Sequence, residues 1–176
     1  MAEGYTAGDA CAACRGQCCR TTGCSLSPED MCRELAGRPV NVETVEELLQ
    51  KGNFSIDSFQ IGGRAFYYLR MRHKCFTFIG VDAMGECVML TDSGCALAFE
   101  NRPMGGRMLE GKAGGGCIQH YTREMMVEDW KPYQELLRTI WDRWHDRMEA
   151  DGVFDRCEEA YMLFQRERKL VPKFTG

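Results

Sequence analysis

The apolar and polar positions change period along the chain, and each change marks an element. Ser27-Pro28-Glu29-Asp30 reads as a helix start, with a serine cap, a proline suited to the first helical position, and acids at the positive end of the dipole. That helix is expected to stop at Gly37, with Pro39 just beyond. A second helix is expected from about Asn41. Val42, Val45, Leu48 and Leu49 share one face there, and Gly52 stands as a C-terminal cap. From Phe54 the pattern turns to strand. Phe54, Ile56, Phe59 and Ile61 lead into Gly62-Gly63, and the aromatic run Ala65 to Leu69 follows, which predicts a β-hairpin. A second hairpin is expected where Glu86 to Leu90 meets Ala96 to Phe99 across Thr91-Asp92-Ser93-Gly94. Gly105 to Gly116 reads as a glycine-rich loop.

The last third is helical by its spacing. Trp130, Tyr133, Leu136, Leu137, Ile140, Trp141 and Trp144 form one wide apolar stripe, with Pro132 tolerated in the first turn. Asp151-Gly152 closes that helix. Phe154, Cys157, Ala160, Tyr161 and Phe164 lie on one face of another, expected to pack antiparallel to it. These elements predict an α+β fold over residues 1–176. It is a small, mostly helical single domain with short β-hairpins and a metal-pinned, cysteine-rich N-terminus. Within it fall a cysteine cluster at 11–32, central hairpins and loops at 54–120, and a helical scaffold at 127–170.

Composition narrows the function. A chain of 176 residues buries roughly 70% of its unfolded surface and needs no staples merely to fold. Its net charge of −4 disfavours nucleic acid as the main partner. No apolar run approaches the roughly 20 residues that span a bilayer, so no membrane partner is expected. The start, MAEGYTAGDA, lacks a basic n-region and an apolar h-region, which makes the cytoplasm the expected compartment.

The eleven cysteines change the picture most. In a reducing compartment disulfides rarely persist, and an odd count cannot pair completely. Clustered thiolates are better read as soft ligands for zinc, iron or an iron–sulfur cluster. Cys11-x-x-Cys14 can bring two sulfurs to one ion, Cys18 and Cys19 follow closely, and Cys24 is near enough to join them. The blander alternative is a set of buried free thiols. Cys87 and Cys95 flank the second hairpin and can face the same side. Cys117-x-x-His120 is either a ligand pair or a buried cysteine beside a surface histidine. Cys32, Cys75 and Cys157 read mainly as packing residues.

Other patterns carry less. Gly106-x-x-x-x-Gly111-Lys112-Ala113 approaches a phosphate-binding loop, but Ala113 lacks the hydroxyl that would bind Mg²⁺. Arg64, Arg70, Arg72, His73 and Lys74, interleaved with Phe66, Tyr67 and Tyr68, form either a nucleic-acid or partner-docking strip or, as the favoured reading, a strand with one solvated face and one core face. The scattered methionines lack the short spacing of a copper site.

The run Cys11-x-x-Cys14-x-x-x-Cys18-Cys19, followed by Leu26-Ser27-x-x-Asp30, resembles the CxxCxxxCC cysteine-cluster family, the YkgJ-like zinc- or iron-chelating proteins. The resemblance continues through Cys87-x-x-Leu90, Gly94-Cys95 and Arg102-Pro103, so it spans about Cys11 to Arg107. It implies that the downstream cysteines complete a metal site with the N-terminal cluster. The family usually carries a cysteine where this chain has Gly106. Cys24, Cys117 or His120 could supply the missing ligand, and Cys24 with Cys117 is the favoured replacement.

The expected function is therefore metal chelation, of zinc or iron, by Cys11, Cys14, Cys18, Cys19, Cys24, Cys87, Cys95 and Cys117. Eight candidate thiolates exceed one tetrahedral ion, which leaves two metals or an iron–sulfur cluster open. An iron–sulfur electron carrier or enzyme component is one alternative, and a zinc-stabilised protein-interaction module is another. No acid–base pair and no Ser-His-Asp arrangement is visible, so catalysis has no support in the sequence. The sequence specifies no protein partner.

Overall fold

A computed structural model describes Gly16 and residues 18–20, 23–74, 85–111 and 117–152. Ser27 caps the first helix, α1 (Pro28–Leu35), as expected, and Asp30 returns the bond. Asp30 N–H donates to Ser27 Oγ at 3.2 Å, and Ser27 N–H donates to Asp30 Oδ2 at 2.9 Å. The helix ends at Leu35, two residues before Gly37. Ala36 takes the left-handed conformation with φ 53°, and Gly37 follows at φ 82°. Asn41 and Thr44 form the same reciprocal cap on α2 (Val42–Gln50).

Strands β1 (Phe54–Ile61) and β2 (Arg64–Met71) pair antiparallel, with Phe54 opposite Met71 and Ile61 opposite Arg64. Gly62 and Gly63 both adopt positive φ, which the two-residue turn requires. At the open end of this hairpin both faces are covered. Ile56 and Leu69 are fully buried, and the pair Arg70 Nε–Asp57 Oδ2 at 2.6 Å is largely buried beside them. The basic run on this strand is thus divided between solvent and core, as the reading of a half-solvated strand requires. Arg70 and His73 point into the protein, each held by burial and a polar partner.

The second hairpin is tighter than its sequence suggested. β3 (Leu90–Thr91) pairs with β4 (Gly94–Cys95), and Asp92-Ser93 alone makes the turn. Gly94 at φ 115° ends the turn, so Cys95 falls inside the strand rather than after the loop. Phe99 belongs to a separate 3-10 turn, Phe99–Asn101. The described part of the glycine-rich stretch, up to Gly111, is also more regular than a loop. It begins as a helical turn, α3 (Met104–Arg107), and continues as β5 (Leu109–Gly111), paired with β6 (Cys117–Gln119).

The apolar stripe from Trp130 to Trp144 is carried by two helices, not one. α4 (Arg123–Trp130) gives way to a 3-10 turn, Lys131–Tyr133, before α5 (Gln134–Ala150). Pro132 has no N–H to continue the ladder, and the chain tightens there. Gln134 turns this break into an anchor. Its amide accepts from Tyr67 N–H at 2.9 Å and donates to Tyr67 O at 2.8 Å, holding α5 to the β2 backbone. The helix expected around Phe154 to Phe164 lies outside the described residues. Helices and small antiparallel strand pairs together make an α+β fold. Its core is built from Leu26, Met31, Val45, Leu49, Ile56, Leu69, Trp130, Leu137 and Ile140. Among the described residues no helix is long and apolar enough to cross a membrane.

Candidate metal centre

The end of β2 gathers three cysteine-bearing segments by backbone hydrogen bonds. Cys24 to Leu26 runs antiparallel to β2, with Met71 N–H donating to Cys24 O at 2.9 Å and Leu26 N–H to Leu69 O at 2.8 Å. Beyond β2, His73 pairs with Cys87. Val88 N–H donates to Arg72 O at 2.9 Å and Lys74 N–H to Glu86 O at 2.7 Å. Cys87 N–H in turn donates to Cys19 O at 2.8 Å, which ties the N-terminal cysteine run to the central one. Gly16, between Cys14 and Cys18, is buried where any Cβ would strike Leu90 and would stand 3.8 Å from Gly94 Cα. Gly16 is therefore seated on the hairpin that carries Cys95.

The thiols in this region are shielded to different degrees. Cys19 and Cys87 are buried, while Cys24 and Cys95 are half-buried. Burial pushes the Cys87 thiol up from its ordinary range; Met89 N–H pulls the other way, and nearby Cys95 adds to the rise. A divalent cation reverses this balance, because coordination favours the thiolate outright.

His73 lies on the core side of the basic run. It is fully buried, and its Nε2 accepts from Gly23 N–H at 3.0 Å, one residue before Cys24. Burial and then the Arg70 charge lower its pKa from 6.5 to about 3, so the ring is neutral at physiological pH. The space around it is closed on two sides. A Cβ on Gly85 would stand 3.0 Å from the imidazole, and one on Gly23 would collide with Met71 O. Gly85 thus packs directly on the imidazole, while Gly23 lies tight on the Met71 carbonyl and donates to the ring.

Gly106 faces Cys24 directly. A Cβ there would be 3.3 Å from Cys24 Sγ and 3.3 Å from Arg102 Cβ. The sulfur of Cys24 therefore borders the space that a side chain at position 106 would enter. Asp30 supports this junction from below. It accepts from Met104 N–H at 2.6 Å and pairs with Arg107 at 3.1 Å and Arg33 at 3.0 Å. The Ser27-x-x-Asp30 and Arg102-Pro103…Arg107 segments meet through this one carboxylate, a role the sequence did not disclose.

The other expected residues fall as follows. Cys11 and Cys14 lie outside the described residues, and Cys18 is described in its backbone alone, within the 3-10 turn Cys18–Arg20. Cys117 is half-buried in β6 opposite Gly111. His120 is half-exposed and bonded to Glu110 at 2.6 Å, which makes it the surface histidine of the two readings. Cys32, expected to pack, is exposed on α1. Cys75 and Cys157 lie outside the described residues. Gly106 sits in α3 rather than in a loop after a strand, which removes the phosphate-loop reading. Among the described residues, no group of three or more Cys, His, Asp or Glu is assembled as a metal site. No family model, no curated protein and no solved structure matches the chain.

Proposed function

We propose that this chain is a metal-chelating cysteine-cluster protein that holds zinc or iron. Its ligands come from Cys11, Cys14, Cys18 and Cys19 on the N-terminal side and from Cys87 and Cys95 on the hairpin side. Cys24 takes the place of the ligand missing at Gly106, and Cys117 is the remaining candidate. The observation that carries the reading is the Cys87 N–H to Cys19 O hydrogen bond. It joins Cys19, at the end of the run Cys11 to Cys19, to Cys87 by a backbone contact between two buried cysteines, which supports a site shared by the two segments. Sulfur-only donors suit zinc and iron centres, and four of them close a tetrahedral zinc site with no open position. The reading of a partner docked on the basic hairpin is weaker, because Arg70 and His73 are buried.

The test is an absorption spectrum of anaerobically purified protein, with zinc, iron and sulfide measured on the same sample. Colourless protein with one or two zinc ions per chain supports a closed thiolate site. Brown protein with iron and sulfide moves the site to an iron–sulfur cluster and electron transfer. Neither metal at stoichiometric level sinks the proposal. Cys87→Ser and Cys95→Ser should lower the metal content, and Cys32→Ser should leave it unchanged.

A further inference from the structure

A cleft of about 530 Å³ opens beside Cys24, between the β1–β2 hairpin and the start of α4. That volume falls in the range of small-molecule sites and far exceeds one inorganic ion. Phe59, Tyr121 and Met126 supply apolar walls, and Asp57 and Tyr68 supply the polar end. The polar end is already internally balanced. Asp57 takes Ser58 N–H at 2.7 Å, Tyr68 O–H at 3.2 Å and Arg70 Nε at 2.6 Å. Arg123 is different. Its guanidinium lies 4.4 Å from the Phe59 ring centroid, so its face is spent on the ring, and among the described residues no carboxylate forms an ion pair with its N–H edge. The α4 N-terminus competes little for an anion, because Thr122 and the acidic Glu124 already serve its first turn.

We propose that this cleft binds a small aromatic anion, its ring against Phe59 and Met126 and its carboxylate or phosphate on the edge of Arg123. A stacked arginine is a pre-ordered fork, and the apolar walls reward a flat body that an inorganic anion lacks. The inference stands apart from the metal reading, since none of these contacts needs a metal ion.

The experiment uses full-length protein as purified, with metal content recorded, and follows amide shifts during titration. The probes are 3-phenylpropionate, phenyl phosphate and the neutral benzyl alcohol. Both anions, or one of them, should bind about tenfold or more tightly than benzyl alcohol, and the better anion identifies the head group. Arg123→Gln, at an exposed position, should weaken the better anion about tenfold while leaving benzyl alcohol unchanged. Phe59→Leu should weaken all three probes. Equal binding of the neutral probe, no binding of any probe, or an unaltered affinity in Arg123→Gln overturns the proposal. So does loss of anion binding in Cys24→Ala with retention in Arg123→Gln, which would put the anion on a metal instead.

Discussion

Cys24 Sγ stands 3.3 Å from the point where a Cβ on Gly106 would be, so the two positions compete for one small volume. A sulfur can reach this place from either chain segment, but both cannot occupy it without a shift of a few tenths of an ångström.

This geometry predicts a swap. Cys24→Ala should lower bound metal or its affinity, and Cys24→Ala combined with Gly106→Cys should restore it. Gly106→Cys alone should crowd Cys24 and Arg102 and cost stability. Metal analysis and thermal melts of the three variants check this; no loss in Cys24→Ala removes Cys24 from the ligand set.

Asp30 links α1 to α3 while nearly wholly buried. Asp30→Ala removes a reciprocal cap, orphans Met104 N–H and unpairs Arg107, and should cost about 3 kcal/mol. Ser27→Ala, which loses the cap alone, should cost about 1 kcal/mol. Urea unfolding separates the two, and equal costs would show that the α3 contacts contribute little.

His73 gives a pH dependence of definite sign. Its pKa is lowered from 6.5 to about 3 in the folded chain, so below pH 6.5 the unfolded chain binds a proton that the folded chain refuses. Stability contributed by this residue is present above pH 6.5 and falls with acid, by up to about 1.4 kcal/mol per pH unit until the folded pKa is reached. His73→Gln should flatten the curve between pH 6.5 and 5, where few carboxylates titrate. An imidazole that titrates near 6.5 by NMR in the native protein would contradict the burial argument.

Removal of metal should act unevenly. A chelator should speed amide exchange in the segments around Cys19, Cys24 and Cys87 and in Arg72 to Lys74. Leu137 and Ile140 of α5, packed in the apolar core, should keep their protection. Uniform loss of protection would mean that the metal, if bound, supports the whole domain.

Local signals in the sequence were readable where one residue type decides the conformation. Ser27 and Asn41 start helices because their side chains accept from the first turn, and Gly62-Gly63 turns because both positions need positive φ. What the sequence hid was long-range. Arg70 and His73 look like surface cations, and only the position of Asp57 and of the Gly23 amide makes burial tolerable. Pro132 looked compatible with a first helical turn, but α4 already runs into it from Arg123. The gathering of Cys19, Cys24 and Cys87 depends on backbone pairing along β2, and no spacing rule encodes that.

The Cys24–Met71 and Cys19–Cys87 hydrogen bonds each close a long stretch of chain. Loop-closure entropy makes such pairings late events, while the β1–β2 hairpin and the capped helices form from near neighbours. The order of assembly follows: the hairpin presents an open edge first, and the N-terminal cysteines arrive at a template already folded. During synthesis this segment emerges before its template exists, so its thiols spend that interval exposed to whatever metal or oxidant the surroundings offer.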